Sequence, residues 1–263
     1  MSALAVLVAS MALLGLAVGS FLNVVIYRLP RGQSVVLPKS HCPQCLTQIK
    51  RRHAVPVLSW LALHGKCAYC RIPISARYPI VEGATALLFA AITLRFGLSA
   101  ELPAYLYLGA VGVALAMIDV DLRRLPDSIV LPSYLVGALL LLPAGLVQHD
   151  WRPAERAGIA MVLLWVLYFA VAVIYPIGVR WDDAKVAGLL GLFLGWLSWP
   201  TVVIGALTGL LIIGAGGARL HSNHRTCAVV GPSAACLIAG AVLALLLTVP
   251  LGTWYGSVLL AAS

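Results

Sequence analysis

Two Cys-x-x-Cys pairs, Cys42 with Cys45 and Cys67 with Cys70, stand 21 residues apart in the chain. A two-residue spacer lets both sulfurs of a pair reach one ion, and two such pairs match a four-thiolate zinc pattern. The segment around them has too little apolar mass to fold by burial alone, so a metal would supply the missing stability. A closed set of four sulfurs leaves no open coordination position, which points to a structural Zn2+ rather than a catalytic one. A redox or disulfide role is the competing reading. His41, His53 and His64 lie close by and are not needed once four thiolates are available. Cys227 and Cys236 stand alone and read as small packing residues.

The second constellation is acidic. The chain has nine acidic residues in 263, and five of them are aspartates beside long apolar runs. Seventeen uncharged residues from Leu102 to Ile118 end at Asp119, with Asp121 and Asp127 close behind. Asp182 and Asp183 open a later apolar stretch, with Lys185 two places on. An ionisable group at hydrocarbon is costly and is a functional candidate for that reason. Two carboxylates brought within a few ångströms cannot both ionise cheaply, which yields an acid and a base at one pH. Plainer roles compete at each position. Asp127 and Asp182 suit helix N-terminal caps or charges. Asp121 suits the headgroup region or a pairing with Arg123 or Arg124. Asp119 and Asp183 sit deepest against the apolar runs.

The elements that must position these groups are membrane helices. The sequence is 62% hydrophobic and 10% charged, against about 25% charged in soluble domains. Apolar runs near twenty residues recur, so the expected fold is an all-α polytopic membrane protein of about eight transmembrane helices. They are expected near 3–26, 79–96, 102–119, 128–147, 157–175, 184–198, 200–217 and 231–249, with a tight turn at Trp199-Pro200. The first run lacks a basic start and a cleavage site, and reads as a retained helix. Fifteen of the eighteen basic residues fall on one side of this arrangement. That side is cytoplasmic by the positive-inside rule, and it carries the cysteine loop and all five aspartates. The net charge of +9 thus reports topology, and no nucleic-acid partner is expected. The division expected is a first helix over 1–27, a tetracysteine loop over 28–78 and a helical core over 79–263.

With these residues in view, the chain resembles the type 4 prepilin peptidases, the bifunctional leader peptidases and N-methyltransferases of bacterial pilus and type II secretion systems. The likeness runs nearly end to end. GSFLNVVIYRLP at 19–30 resembles the family's first-helix signature, and the cysteine pairs follow. ISARYPIVEGATALLF at 74–89, IDVDLRRLPD at 118–127, GVRWDDAKVAGLLGLFLGW at 178–196 and VVGPSAA at 229–235 come in the family's order. The resemblance implies that Asp119 and Asp183 form an aspartic dyad, with Lys185 matching the family's lysine and Asp182 and Asp127 in supporting places. Where the family writes Gly-x-Gly-Asp, this chain has Arg180-Trp181-Asp182-Asp183. It also implies an inner-membrane enzyme that removes the basic leader of prepilins or pseudopilins and then methylates the new N-terminus with S-adenosylmethionine. The methyl-transfer region would be the 28–78 loop and its junction to the next helix, with Gly65 and Glu82 as candidates. For Glu82 a helix-start charge at the interface is the plainer role. A transporter or channel also uses membrane carboxylates, but no internal repeat is evident and the carboxylates lie at one face. An assembly factor without catalysis is the third reading.

Overall fold

The computed structural model describes residues 3–37, 40–42, 44–48, 55–174, 179–222 and 232–261. Among these the fold is helical, with no strand beyond two isolated bridges. The helices are α1 (Ala3–Arg28), α2 (Leu58–Ala62), α3 (Arg77–Phe96), α4 (Leu102–Leu122), α5 (Asp127–Gln148), α6 (Arg152–Ile174), α7 (Trp181–Leu197), α8 (Trp199–Ser222) and α9 (Ser233–Ala261). Five of them, α1 and α3 to α6, are long and apolar enough to cross a membrane, and α8 and α9 contain shorter apolar stretches.

Every long helix expected is present, but several ends move. α4 runs past Asp119 to Leu122, so that carboxylate lies inside the last turn. α7 begins at Trp181, three residues early, because Asp183 Oδ2 accepts the Arg180 N–H while the Arg180 carbonyl accepts the Asp183 N–H. α9 continues to Ala261; no charged residue interrupts its apolar run, and a proline within it is tolerated in lipid. The five-residue α2 was not expected.

The chain divides into two compact units, Met1–Leu98 and Ser99–Ser263. In the first, α1 lies along α3. A Cβ at Gly19 would sit 2.7 Å from the Glu82 Cα, so only glycine lets the two backbones approach this closely. Such small-residue contacts replace hydrophobic burial as the source of helix association in lipid.

In the second unit α7 is the centre, packed by α5, α6, α8 and α9. Its face from Asp183 to Trp196 is almost wholly buried. A Cβ on Gly191 would lie 2.6 Å from the Ala160 carbonyl oxygen of α6. At the far end of α7 the Arg156 guanidinium donates to the carbonyls of Gly195, Trp196 and Leu197 at 2.5–2.9 Å. These are the orphan acceptors of a helix C-terminus. Held at both ends, α7 presents its first turn in a defined place.

Candidate active site and cysteine centre

Among the described residues, three carboxylates are buried: Glu82, Asp119 and Asp183. The two aspartates lie in the second unit, 0% exposed, and share partners. Arg180, the residue before α7, donates its backbone N–H to Asp183 Oδ2 at 2.7 Å and its guanidinium Nη2 to Asp119 Oδ1 at 2.9 Å. The first turn of α9 supplies the other bonds. Ser233 Oγ donates to Asp183 Oδ2 at 2.6 Å, and the Ala235 N–H donates to Asp119 Oδ2 at 3.1 Å. The last turn of α4 and the first turns of α7 and α9 therefore meet at one buried polar point. Asp183 Oδ1 is buried there without a hydrogen-bond partner.

Asp182, the neighbouring carboxylate, points elsewhere. Its Oδ1 lies 3.4 Å from Lys185 Nζ, which also bonds Asp127 Oδ1 at 2.7 Å. Lys185 thus ties the first turn of α7 to the start of α5. Asp127 and Asp182 lie in the first turns of α5 and α7, as N-terminal charges would, but neither is the helix cap that the sequence also allowed. Pro126 and Arg180 occupy those positions, and both carboxylates are drawn to Lys185 instead. Arg180 has φ −108° and ψ 163°, and Asp182 is helical. Both are conformations any residue adopts, so the two glycine positions of the motif accept side chains without backbone strain.

In the first unit the four cysteines come together. The Sγ atoms of Cys42, Cys45, Cys67 and Cys70 all lie within 4.8 Å of one another, and Cys42 and Cys70 are 3.7 Å apart. A tetrahedral ion with metal–sulfur bonds of about 2.3 Å needs sulfurs about 3.8 Å apart. The two knuckles repeat one pattern. The Cys42 N–H donates to the Thr47 carbonyl and the Leu46 N–H to the Cys42 carbonyl; Cys67 with Ile72 and Arg71 does the same. Leu46 and Arg71, each directly after the second cysteine of its pair, take left-handed φ of 53° and 60°. The thiols are unequal. Hydrogen bonds from Thr47 bring Cys45 down to about 6. The Ile72 amide lowers Cys70, but burial and the other three sulfurs outweigh it and push it up to about 11.

Glu82, on α3, turns its carboxylate to the loop, where Oε2 accepts the Val57 N–H at 2.7 Å. Val57 precedes α2 with φ 59° and ψ −52°, a costly conformation for a β-branched residue, and this bond helps hold it. Gly65, at φ +67°, has no room for a side chain, because a Cβ would lie 2.8 Å from the Trp60 ring. The Trp60 Nε1–H in turn bonds the Ile74 carbonyl. Glu82 is thus a buried acceptor rather than a charge at an interface.

Sequence reasoning did not find Arg180, Ser233 and Ala235 as partners of the aspartates. Pro232-Ser233 before an apolar run signals a helix start, but nothing in the sequence names what that start faces. Cys236 lies within electrostatic reach of both aspartates. Cys227 and the Val229–Gly231 part of the last motif fall outside the described residues.

Residues 106–216 match the model of the type IV leader peptidase family, and residues 13–96 match the bacterial peptidase A24 N-terminal domain. A prepilin leader peptidase/N-methyltransferase from Stutzerimonas stutzeri is 36% identical over an alignment of 224 positions, gaps included, that covers 76% of this chain and 77% of that protein. The chain belongs to the type IV leader peptidase family. The protein of that same description from Myxococcus xanthus is 40% identical over 211 residues, 78% of this chain and 62% of its relative. One from Aeromonas salmonicida is 35% identical over an alignment of 277 positions, gaps included, that covers 94% of this chain and 93% of that protein. No solved structure matches. Both halves of the leader-peptidase pattern are therefore present, and each buried carboxylate falls within one of the two matched segments.

Proposed function

We propose that this chain is a membrane-embedded aspartic endopeptidase that removes the basic leader from prepilins or pseudopilins and then N-methylates the new terminus. The observation that carries the peptidase reading is the meeting of Asp119 and Asp183 at one buried point, with Arg180 bonded to both. Membership of the leader-peptidase family supports it. In this reading a water held by the pair attacks the scissile carbonyl, one aspartate taking its proton while the other donates to the carbonyl oxygen. Lys185, with Asp127 and Asp182, holds the entry of α7 against α5 and so keeps Asp183 in place. The protein is a multi-pass membrane protein, and the proposed site is the bacterial inner membrane. The excess of basic residues supports a cytoplasmic face for the cysteine loop and the aspartates alike.

The ion proposed for the four cysteines is a structural zinc. The sulfur spacing fits it, and a full thiolate set gives it no catalytic vacancy. For methyl transfer the proposed region is 28–78 with its junction to α3. S-adenosylmethionine would supply the methyl group there. Glu82 would hold its polar groups through a carboxylate that is already buried and partly hydrogen-bonded. Gly65 would act through the loop, since the Trp60 ring fills the place of its side chain.

The deciding experiment incubates the purified chain in detergent with a prepilin. Wild-type protein shortens the prepilin, and Asp119→Asn and Asp183→Asn each lose a factor of about a hundred or more. Normal cleavage by either variant would end the dyad reading, and a chain that never cleaves would favour the assembly-factor alternative.

A further inference from the structure

The two aspartates are bonded unequally. Asp119 accepts a donor at each oxygen, one of them the Arg180 guanidinium. Asp183 accepts two donors at Oδ2, and its Oδ1 is buried without a partner. A carboxylate with both oxygens engaged, one by a cation, is arranged to carry charge. An unpartnered buried oxygen is arranged to carry a proton, because a bare negative oxygen there would be expensive. The neighbouring groups do not offset this. Lys185 is committed to Asp127 and Asp182. Arg123 reaches Asp119 through its backbone N–H, which caps α4 on the Asp119 carbonyl, and Asp121 is exposed on the same turn. From the other elements, Tyr168 of α6 lies within electrostatic reach of Asp183, its hydroxyl donating to the Ala206 carbonyl, and Cys236 of α9 lies within reach of both aspartates.

We propose that Arg180 is a positioning residue that sets the roles within the pair, making Asp119 the base and Asp183 the acid. This rests on the dyad reading above. Ionised Asp119 takes a proton from water as the water oxygen bonds to the scissile carbon. The carbonyl π pair moves onto oxygen, which takes the Asp183 Oδ1 proton. A neutral tetrahedral diol, neutral Asp119 and anionic Asp183 result. The new Asp183 charge is met by the Ser233 hydroxyl and the Arg180 N–H. Asp119 then gives its proton to the amide nitrogen as the C–N bond breaks, while Asp183 recovers a proton from a diol hydroxyl. The carboxylic acid and amine leave, and both aspartates regain their starting states. No oxidant or metal enters the balance.

The test compares cleavage-rate profiles against pH for wild type, Arg180→Gln and Arg180→Lys, using the full chain in detergent and a peptide spanning a prepilin cleavage site. In Arg180→Gln the lower pH limit of kcat/KM moves up by about one unit or more, since a cation beside the base is gone. Arg180→Lys restores most of that shift. A lower limit unmoved in Arg180→Gln overturns the proposal, and a loss of rate with an unchanged profile marks a structural role and overturns it equally. Infrared difference spectra keep the test open should Arg180→Gln not fold. Asp119→Asn removes a carboxylate band from the wild-type spectrum and Asp183→Asn removes a protonated carbonyl band; the reverse pairing sinks the assignment. If either Asn variant cleaves normally, the dyad itself falls and the proposal with it. If both are inactive and the Arg180→Gln profile stays put, only the role of Arg180 falls.

Discussion

Ser233 donates its hydroxyl to Asp183 Oδ2 at 2.6 Å, from a position fifty residues later in the chain. The bond joins the first turn of α9 to the first turn of α7 inside the protein. A hydrogen bond to an ionisable group is worth about 1.5–3 kcal/mol, so Ser233→Ala lowers the cleavage rate by roughly tenfold or more. Ser233→Thr, which keeps the hydroxyl, retains most of it. Steady-state kinetics on a prepilin peptide read the effect in kcat rather than KM.

Glu82→Gln separates the two activities. Glutamine still offers an acceptor to the Val57 N–H, so the loop keeps its path. The carboxylate proposed to hold the polar groups of the methyl donor is lost. Methylation of a pre-cleaved peptide, followed by mass spectrometry, falls by about tenfold or more, as for loss of one charge-assisted bond. Leader cleavage continues at the wild-type rate.

The cysteine centre binds one metal ion per chain, and Cys67→Ser releases it. Metal binding displaces thiol protons. Cys45, brought down to about 6, is already a thiolate at neutral pH, whereas Cys70, pushed up to about 11, holds its proton until metal arrives. Affinity therefore falls as pH is lowered, and falls more steeply once pH drops below about 6, where Cys45 also protonates. Competition against a chelating dye across that range gives the slope.

Leu46 and Arg71 occupy left-handed backbone in equivalent places of the two knuckles. A side chain there costs about 1–2 kcal/mol, part of which glycine returns as unfolded-chain entropy. Leu46→Gly and Arg71→Gly each raise the stability of the metal-loaded chain by about 0.5–1 kcal/mol, measured by thermal unfolding in detergent. The doubly substituted chain adds the two gains.

Gly191→Leu disrupts the contact of α6 with α7. Its Cβ would meet the Ala160 carbonyl oxygen at 2.6 Å and the Met161 Cα at 2.9 Å, both backbone atoms with nowhere to go. The expected loss is about 1–3 kcal/mol. Gly158→Leu on α6, where a Cβ meets nothing within 4 Å, is the control. Cleavage falls with the first variant because α7 carries Asp183.

Much of this protein is legible one residue at a time. Helices longer than a turn or two announce themselves as uncharged runs, because lipid leaves the backbone no partner but itself. The two Cys-x-x-Cys pairs announce a four-sulfur centre, because the spacer alone decides that two sulfurs can share an ion. Asp119 and Asp183 stood out for the same reason in reverse, as charges where charge is expensive. Helix ends were less legible. The start of α7 depends on the Asp183 carboxylate reaching back to accept the Arg180 N–H, and no propensity of arginine predicts that.

What the sequence determined by itself was local: which segments are helices, which side chains are costly, and which cysteines pair by spacing. Only the tertiary structure decided which distant turns meet. It set Asp183 rather than Asp182 beside Asp119, turned Asp182 and Asp127 to Lys185, and brought Arg180, Ser233 and Ala235 to the pair. The physical reason is that hydropathy and spacing act within a few residues along the chain. Which carboxylate is buried depends instead on the rotation of α7 against α5, α6 and α9, set by close packing between helices.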